Sequence, residues 1–170
     1  MHIVITKPVI EYLCHQADLG YESQYKQERI GFLFGTIDKS CITITKAVSY
    51  KGGKRKRTVV DVIADNFDRR GELLVKQLKK KRIGSYHTHV EINNDIPIGI
   101  SDDDKYAFAD NESIVELIIS VWATDNSKRL KPGRKRLLAI KRFGDTNYRY
   151  VISGYLMTKR GSRLVKTIKM

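Results

Sequence analysis

The sequence predicts a mixed α/β domain built on a central, mostly antiparallel β-sheet flanked by helices. Three observations carry that expectation: two segments with apolar residues at helical spacing, seven short apolar or alternating runs rich in β-branched residues, and charged or glycine-containing turns between them. At 170 residues the chain has the length of one globular unit, so residues 1–170 are expected to form a single domain.

Taken in order, Val9, Ile10, Leu13 and Ala17 recur at helical spacing, and Pro8 suits a first helical turn, so Pro8 to Ala17 is read as a helix. Ile30 to Ile37 is an apolar run, and Cys41 to Val48 alternates Ile42 and Ile44 with Thr43 and Thr45. Together they predict an antiparallel hairpin around Asp38-Lys39-Ser40. Lys51 to Arg57 reads as a basic, glycine-rich loop, and the β-branched Thr58 to Ala64 as a strand. Phe67 to Lys81 puts Leu73, Leu74 and Leu78 on one helical stripe, and Ile83 to His89 is a further strand. Ser101 followed by three aspartates predicts a helix start, because a serine cap satisfies free amides and acidic residues suit the positive end of the dipole. Ile114 to Ala123 is an apolar strand with Trp122 read as core packing. Leu137 to Phe143 and Tyr148 to Met157 add two more, with a turn over Lys128 to Lys135. There is no internal repeat and no low-complexity segment.

Composition narrows the class. A 41% hydrophobic fraction with nine tyrosines excludes a wholly disordered chain, and 30% charged residues with no apolar run near the roughly 20 residues of a spanning helix excludes a helical membrane protein. The opening Met1 to Ile10 carries one lysine and a proline-interrupted apolar stretch, so no export signal is expected and a cytoplasmic setting is. Cys14 and Cys41 lack CxxC spacing and read as two reduced thiols. A formal charge of +13 comes from clusters at Lys54 to Arg57, Lys79 to Arg82, Lys128 to Arg136 and Lys159 to Lys169, whereas Glu91 to Glu112 is acidic. That segregation suggests an acidic macromolecular partner, protein or nucleic acid, although any single run is more commonly a solvated surface. The Lys128 to Arg136 run has no interleaved aromatic platform of the kind that single-strand binding uses.

The chemistry concentrates at His87-Thr88-His89. Residues two apart on a strand share a face, so both imidazoles can meet one metal ion, and Asp104 in the first turn after Ser101 can complete a three-ligand set. Alone, an HxH pair is weak, Glu28 reads as a surface residue before a strand, and Ser101 as no more than a cap. Asp102 or Asp103 stands in for Asp104 if the register differs. His2 and His15 have no patterned neighbours.

Three segments change the weighting. Glu28-Arg29-Ile30-Gly31-Phe32-Leu33-Phe34-Gly35, the strand Ile83 to His89 ending in His-Thr-His, and Ser101-Asp102-Asp103-Asp104 resemble, in order, the E-x-x-G-x-L-x-G, H-[ST]-H and S-x-x-D elements of the JAMM (JAB/MPN) metalloprotease family. Two features depart from that pattern: Val90 follows the second histidine where the family has proline, and residues 90 to 100 form a longer gap before the serine, with Ile100 preceding it. A longer surface loop costs little chain entropy.

The resemblance implies a cytidine-deaminase-like JAB/MPN architecture, zinc held by His87, His89 and Asp104, Glu28 as general base acting through zinc-bound water, and Ser101 as oxyanion donor. It further implies a zinc-dependent isopeptidase or peptidase that cuts the amide bond after the C-terminus of a ubiquitin-like protein or its conjugate, in the stand-alone prokaryotic branch. Deconjugation in a bacterial antiphage system is one setting, and trimming of a sulfur-carrier protein another. Two alternatives stand beside it: a nucleic-acid-associated protein of the same fold, and an inactive scaffold.

Overall fold

The structure, a computed structural model, describes residues 2–52, 54–55, 60–61, 64–93, 95, 97–104, 114–123, 138–140, 148–158, 161–164 and 168–169. The apolar stripe at the start of the chain folds as α1 (Lys7–Tyr21), with Val9, Ile10, Leu13, Cys14 and Ala17 buried and Pro8 in the first turn, where a missing N–H costs nothing. It outlasts the expected Ala17 by one turn and closes with the Glu22 N–H on the Asp18 carbonyl.

The hairpin over Asp38-Lys39-Ser40 forms as expected: β2 (Ile30–Ile37) pairs antiparallel with β3 (Cys41–Ser49). β6 (Arg82–Val90) pairs antiparallel with β2 and parallel with β7 (Val115–Ala123), which pairs antiparallel with β9 (Tyr148–Thr158). The edges are completed by β8 (Leu138–Ile140) and β10 (Gly161–Leu164) on β9, and by β1 (His2–Ile5) between β3 and β11 (Ile168–Lys169). The fold is thus mixed α/β with a mostly antiparallel sheet of nine strands, beside which β4 (Lys54–Arg55) and β5 (Val60–Asp61) form a small ladder.

Alternation along the strands separates two faces. Leu33, Tyr86, Leu117 and Ile119 pack with α1 in one core cluster. On the other face Ile30, Phe32 and Phe34 meet Phe67 and Leu74 of α2 (Ala64–Leu78). Phe32 stacks on Phe67 with ring centroids 4.2 Å apart, and the Arg82 guanidinium lies over both rings while pairing with Asp68 at 2.9 Å. Gly31 admits this packing density: a Cβ there would run into the Val48 carbonyl and the Tyr86 ring.

Several expectations change. Ala64 already belongs to α2, so the strand expected over Thr58 to Ala64 is confined, among the described residues, to Val60–Asp61, and Lys54–Arg55 lie in a strand within the expected loop. α2 ends at Leu78 because Lys79 takes a left-handed φ of 51°. Leu73 is 50% exposed; the buried stripe is Phe67, Leu74, Val75 and Leu78. β1 went unread because a four-residue strand shows only two inward residues, Ile3 and Ile5, whose burial depends on pairing with β3. The turn expected over Lys128 to Lys135 lies outside the described residues, as does part of Leu137 to Phe143. Among the described residues no helix is long and apolar enough to cross a membrane.

Candidate metal centre

β6 carries His87 and His89 on the face opposite α1, both only 4% exposed. The β2–β6 register pairs Ile30 with His87, and the ladder continues through the Thr88 N–H on the Arg29 carbonyl and the Arg29 N–H on Thr88 Oγ1, each 2.8 Å. Glu28, just before β2, lies close enough to His87 and Asp104 to feel both charges. Ser101 and Asp104 arrive from the far side through the loop that leaves β6.

The side chains converge tightly. His87 Nε2 and His89 Nε2 lie 3.0 Å apart, Asp104 Oδ1 is 3.3 Å from His87 Nε2, and Asp104 Oδ2 is 3.4 Å from His89 Nε2. Among the described residues His87, His89 and Asp104 form one group whose donor atoms all lie within 4.8 Å of one another, a set that could hold a metal ion. Asp102 and Asp103 are not in it, so the third position falls to Asp104.

Ser101 and Asp104 fix each other. The Ser101 N–H donates to Asp104 Oδ2 at 2.8 Å and the Asp104 N–H donates to Ser101 Oγ at 3.0 Å, a reciprocal capping arrangement opening a helical turn at 102–104. The cap anticipated from sequence therefore also orients the Asp104 carboxylate.

Electrostatics single out the same residues. Burial pushes the Glu28 carboxyl up to about 7, with nearby His87 opposing and the Asp104 charge adding to the rise. Burial works against a charged His87 ring, yet the Asp104 and Glu116 carboxylates outweigh it and hold His87 up to about 10. Burial, together with the neighbouring His87 charge, lowers His89. Burial alone would raise Asp104, but its bonds with His87, His89 and Ser101 hold it well below the usual carboxylate range.

Sequence reasoning missed the residues behind the candidate ligands. Glu116, on β7 and fully buried, lies with Oε1 2.8 Å from His87 Nδ1 and accepts the Ser85 hydroxyl at 2.6 Å on Oε2. The available signal was a lone acid in the apolar run Ile114 to Ala123. Ser120 donates to the Pro97 carbonyl at 2.7 Å and Tyr155 accepts the Ile100 N–H at 3.0 Å, which ties the long loop to the sheet. His2 lies at the start of β1 and His15 is exposed on α1; neither reaches the group.

No protein-family model matches the chain, and no curated protein matches it. Among solved structures it is similar to the solution structure of protein DSY2949 from Desulfitobacterium hafniense, at 17% identity over 98% of this chain and 90% of that one, with a TM-score of 0.63. A likeness of that depth speaks to the shared fold.

Proposed function

We propose that the chain is a JAMM-type zinc metallopeptidase that hydrolyses the amide bond after the C-terminus of a ubiquitin-like protein or its conjugate. The observation that carries this reading is the meeting of His87, His89 and Asp104 donor atoms near a partly buried Glu28, on the elements of sequence that resemble the family's motifs. Two imidazoles and a carboxylate are a donor set typical of catalytic zinc with an open fourth position. A tetrahedral zinc ion with bonds of about 2.0–2.1 Å would separate its ligand atoms by about 3.3 Å. The two Nε2 atoms are 3.0 Å apart, and Asp104 offers a different oxygen to each, at 3.3 and 3.4 Å, with one donor atom from each residue lying within 4.8 Å of the others. A cytidine-deaminase-like JAB/MPN architecture belongs to the same reading.

Zinc held there by His87, His89 and Asp104 would supply a Lewis acid able to polarise a scissile carbonyl and acidify an attacking water. The Glu28 carboxylate takes the proton of that water and returns it to the leaving nitrogen, a task suited to an acid–base group tuned near neutrality. Ser101 Oγ already accepts the Asp104 N–H, so its own hydroxyl hydrogen can be directed at the developing oxyanion. Glu116 and Ser85 hold the His87 ring, and the loop bonds of Ser120 and Tyr155 hold Asp104 in reach.

A cytoplasmic setting accords with Cys14 and Cys41 both being free thiols. Deconjugation in a bacterial antiphage system is the setting we favour over sulfur-carrier processing. The test is zinc content of wild type and Glu28→Gln alongside cleavage of a panel of ubiquitin-like fusion proteins. Stoichiometric zinc in both with cleavage by wild type alone supports the reading; wild-type protein that takes up no zinc overturns it.

A further inference from the structure

We propose that Glu116 is a positioning residue of the metal centre: its carboxylate holds the His87 ring with Nδ1–H as donor and Nε2 turned toward the metal, and so strengthens metal binding. The inference rests on the reading of His87, His89 and Asp104 as ligands. It adds a residue from β7, a strand that contributes none of them.

Glu116 is 0% exposed near the start of β7, between Val115 and Leu117, which are equally buried. A carboxylate in such surroundings costs several kcal/mol unless it is paired and hydrogen-bonded. Both of its oxygens are engaged, Oε2 by the Ser85 hydroxyl at 2.6 Å and Oε1 by His87 Nδ1 at 2.8 Å. The parallel register explains the reach: Ser85 and Glu116 are direct cross-strand partners, and His87 is the next residue of β6 on the same face.

A carboxylate has no proton to give when ionised, so its contact makes Nδ1 the donor nitrogen of His87. That leaves Nε2 as the nitrogen to be presented to a metal, and it is the atom facing His89 Nε2 and Asp104. Ring orientation is therefore set before any ion arrives, and once Nε2 gives up its proton to a metal the anionic partner makes it a better donor. Ser85 contributes by fixing the rotation of the carboxylate, so that one oxygen is committed and the other points at the ring. A glutamine or an apolar residue would fill the same strand position without a buried charge, and what distinguishes glutamate there is its effect on His87.

The experiment measures the zinc dissociation constants of wild type and Glu116→Gln by competition with a chromophoric chelator, together with the absorption spectra of the cobalt forms. Glutamine keeps the volume and an acceptor but not the charge, so it is expected to bind one equivalent of zinc about 10- to 100-fold more weakly, with shifted cobalt bands. Ser85→Ala, which leaves the charge in place, is expected to weaken binding less. Equal affinity for wild type and Glu116→Gln would overturn the proposal while leaving the ligand assignment standing. A wild type that binds no zinc would overturn both. Should Glu116→Gln fail to fold, wild-type protein loaded with cadmium and isotope-labelled histidine decides the matter: metal–nitrogen coupling at His87 Nε2 with a protonated Nδ1 supports the proposal, and coupling at Nδ1 sinks it.

Discussion

The Tyr155 hydroxyl accepts the Ile100 N–H at 3.0 Å, so that β9, which carries no candidate ligand, holds the loop that delivers one. Ser101 follows directly and Asp104 lies three residues further. Gly99, between the two tethered residues Pro97 and Ile100, has a φ of 83°, and a Cβ there would press on the Tyr155 hydroxyl. Removing that hydroxyl by Tyr155→Phe is expected to cost about 1 kcal/mol of stability, the net worth of one hydrogen bond. It should also weaken zinc binding several-fold, because Asp104 loses part of its support. Denaturant unfolding of the metal-free protein and a chelator competition measure the two effects separately. An unchanged affinity would mean that the loop is placed by other contacts.

Replacing either histidine should abolish metal binding, but the two variants should differ in the metal-free state. His87 shares the Glu116 carboxylate on one side and Asp104 on the other, whereas His89 faces Asp104 and holds its proton less readily. His87→Ala removes one partner of a buried charged pair, which typically costs about 3–5 kcal/mol. His89→Ala is expected to cost distinctly less. Urea unfolding with chelator present tests this, and equal losses would show that Glu116 is not paired to His87 in solution.

Local spacing made part of this legible. His87 and His89 share a face because strands alternate, Ser101 caps because serine before acidic residues does so, and the β2–β3 hairpin follows from alternation across a polar turn. What spacing does not tell is which strand lies beside which. β6 and β7 run parallel, and only that pairing brings Glu116 to Ser85 and His87. A single acid inside Ile114 to Ala123 signalled the need for a partner without naming it. Leu73 misled for a related reason: three leucines in one helix exceeded the width of the face that α2 buries, and Phe67 and Val75 occupy it instead. The role assigned to Glu28 came from family resemblance alone, since its nearness to His87 and Asp104 depends on how β2 and β6 align.

The two cysteines should be chemically distinct. Burial pushes the Cys14 thiol up to about 12, with the Asp18 charge adding to the rise, while Cys41 is partly exposed at the start of β3. Only the thiolate reacts with disulfide reagents, so native protein should show one fast thiol, Cys41. Cys14 should react on the timescale of unfolding. Two fast phases of equal amplitude would show that α1 does not seal Cys14 from solvent.

Glu28→Gln tests the proposed base and its burial together. Glutamine has no proton to accept, so turnover should fall by about 10² to 10⁴ while zinc content stays the same; near-normal turnover would remove Glu28 from the mechanism. Stability supplies a second reading. The Glu28 carboxyl moves from its ordinary 4.5 to about 7 on folding, chiefly through burial. The folded state thus keeps its proton where the unfolded state has lost it. The associated stability is full below about 4.5 and disappears as pH rises through about 7. A permanently neutral glutamine avoids that loss, so the metal-free variant should gain on wild type as pH climbs from 5 to 8, by at most about 3 kcal/mol. Thermal unfolding with chelator across this range checks it. A stability difference that stays flat with pH would mean that the Glu28 carboxylate remains solvated in the folded state.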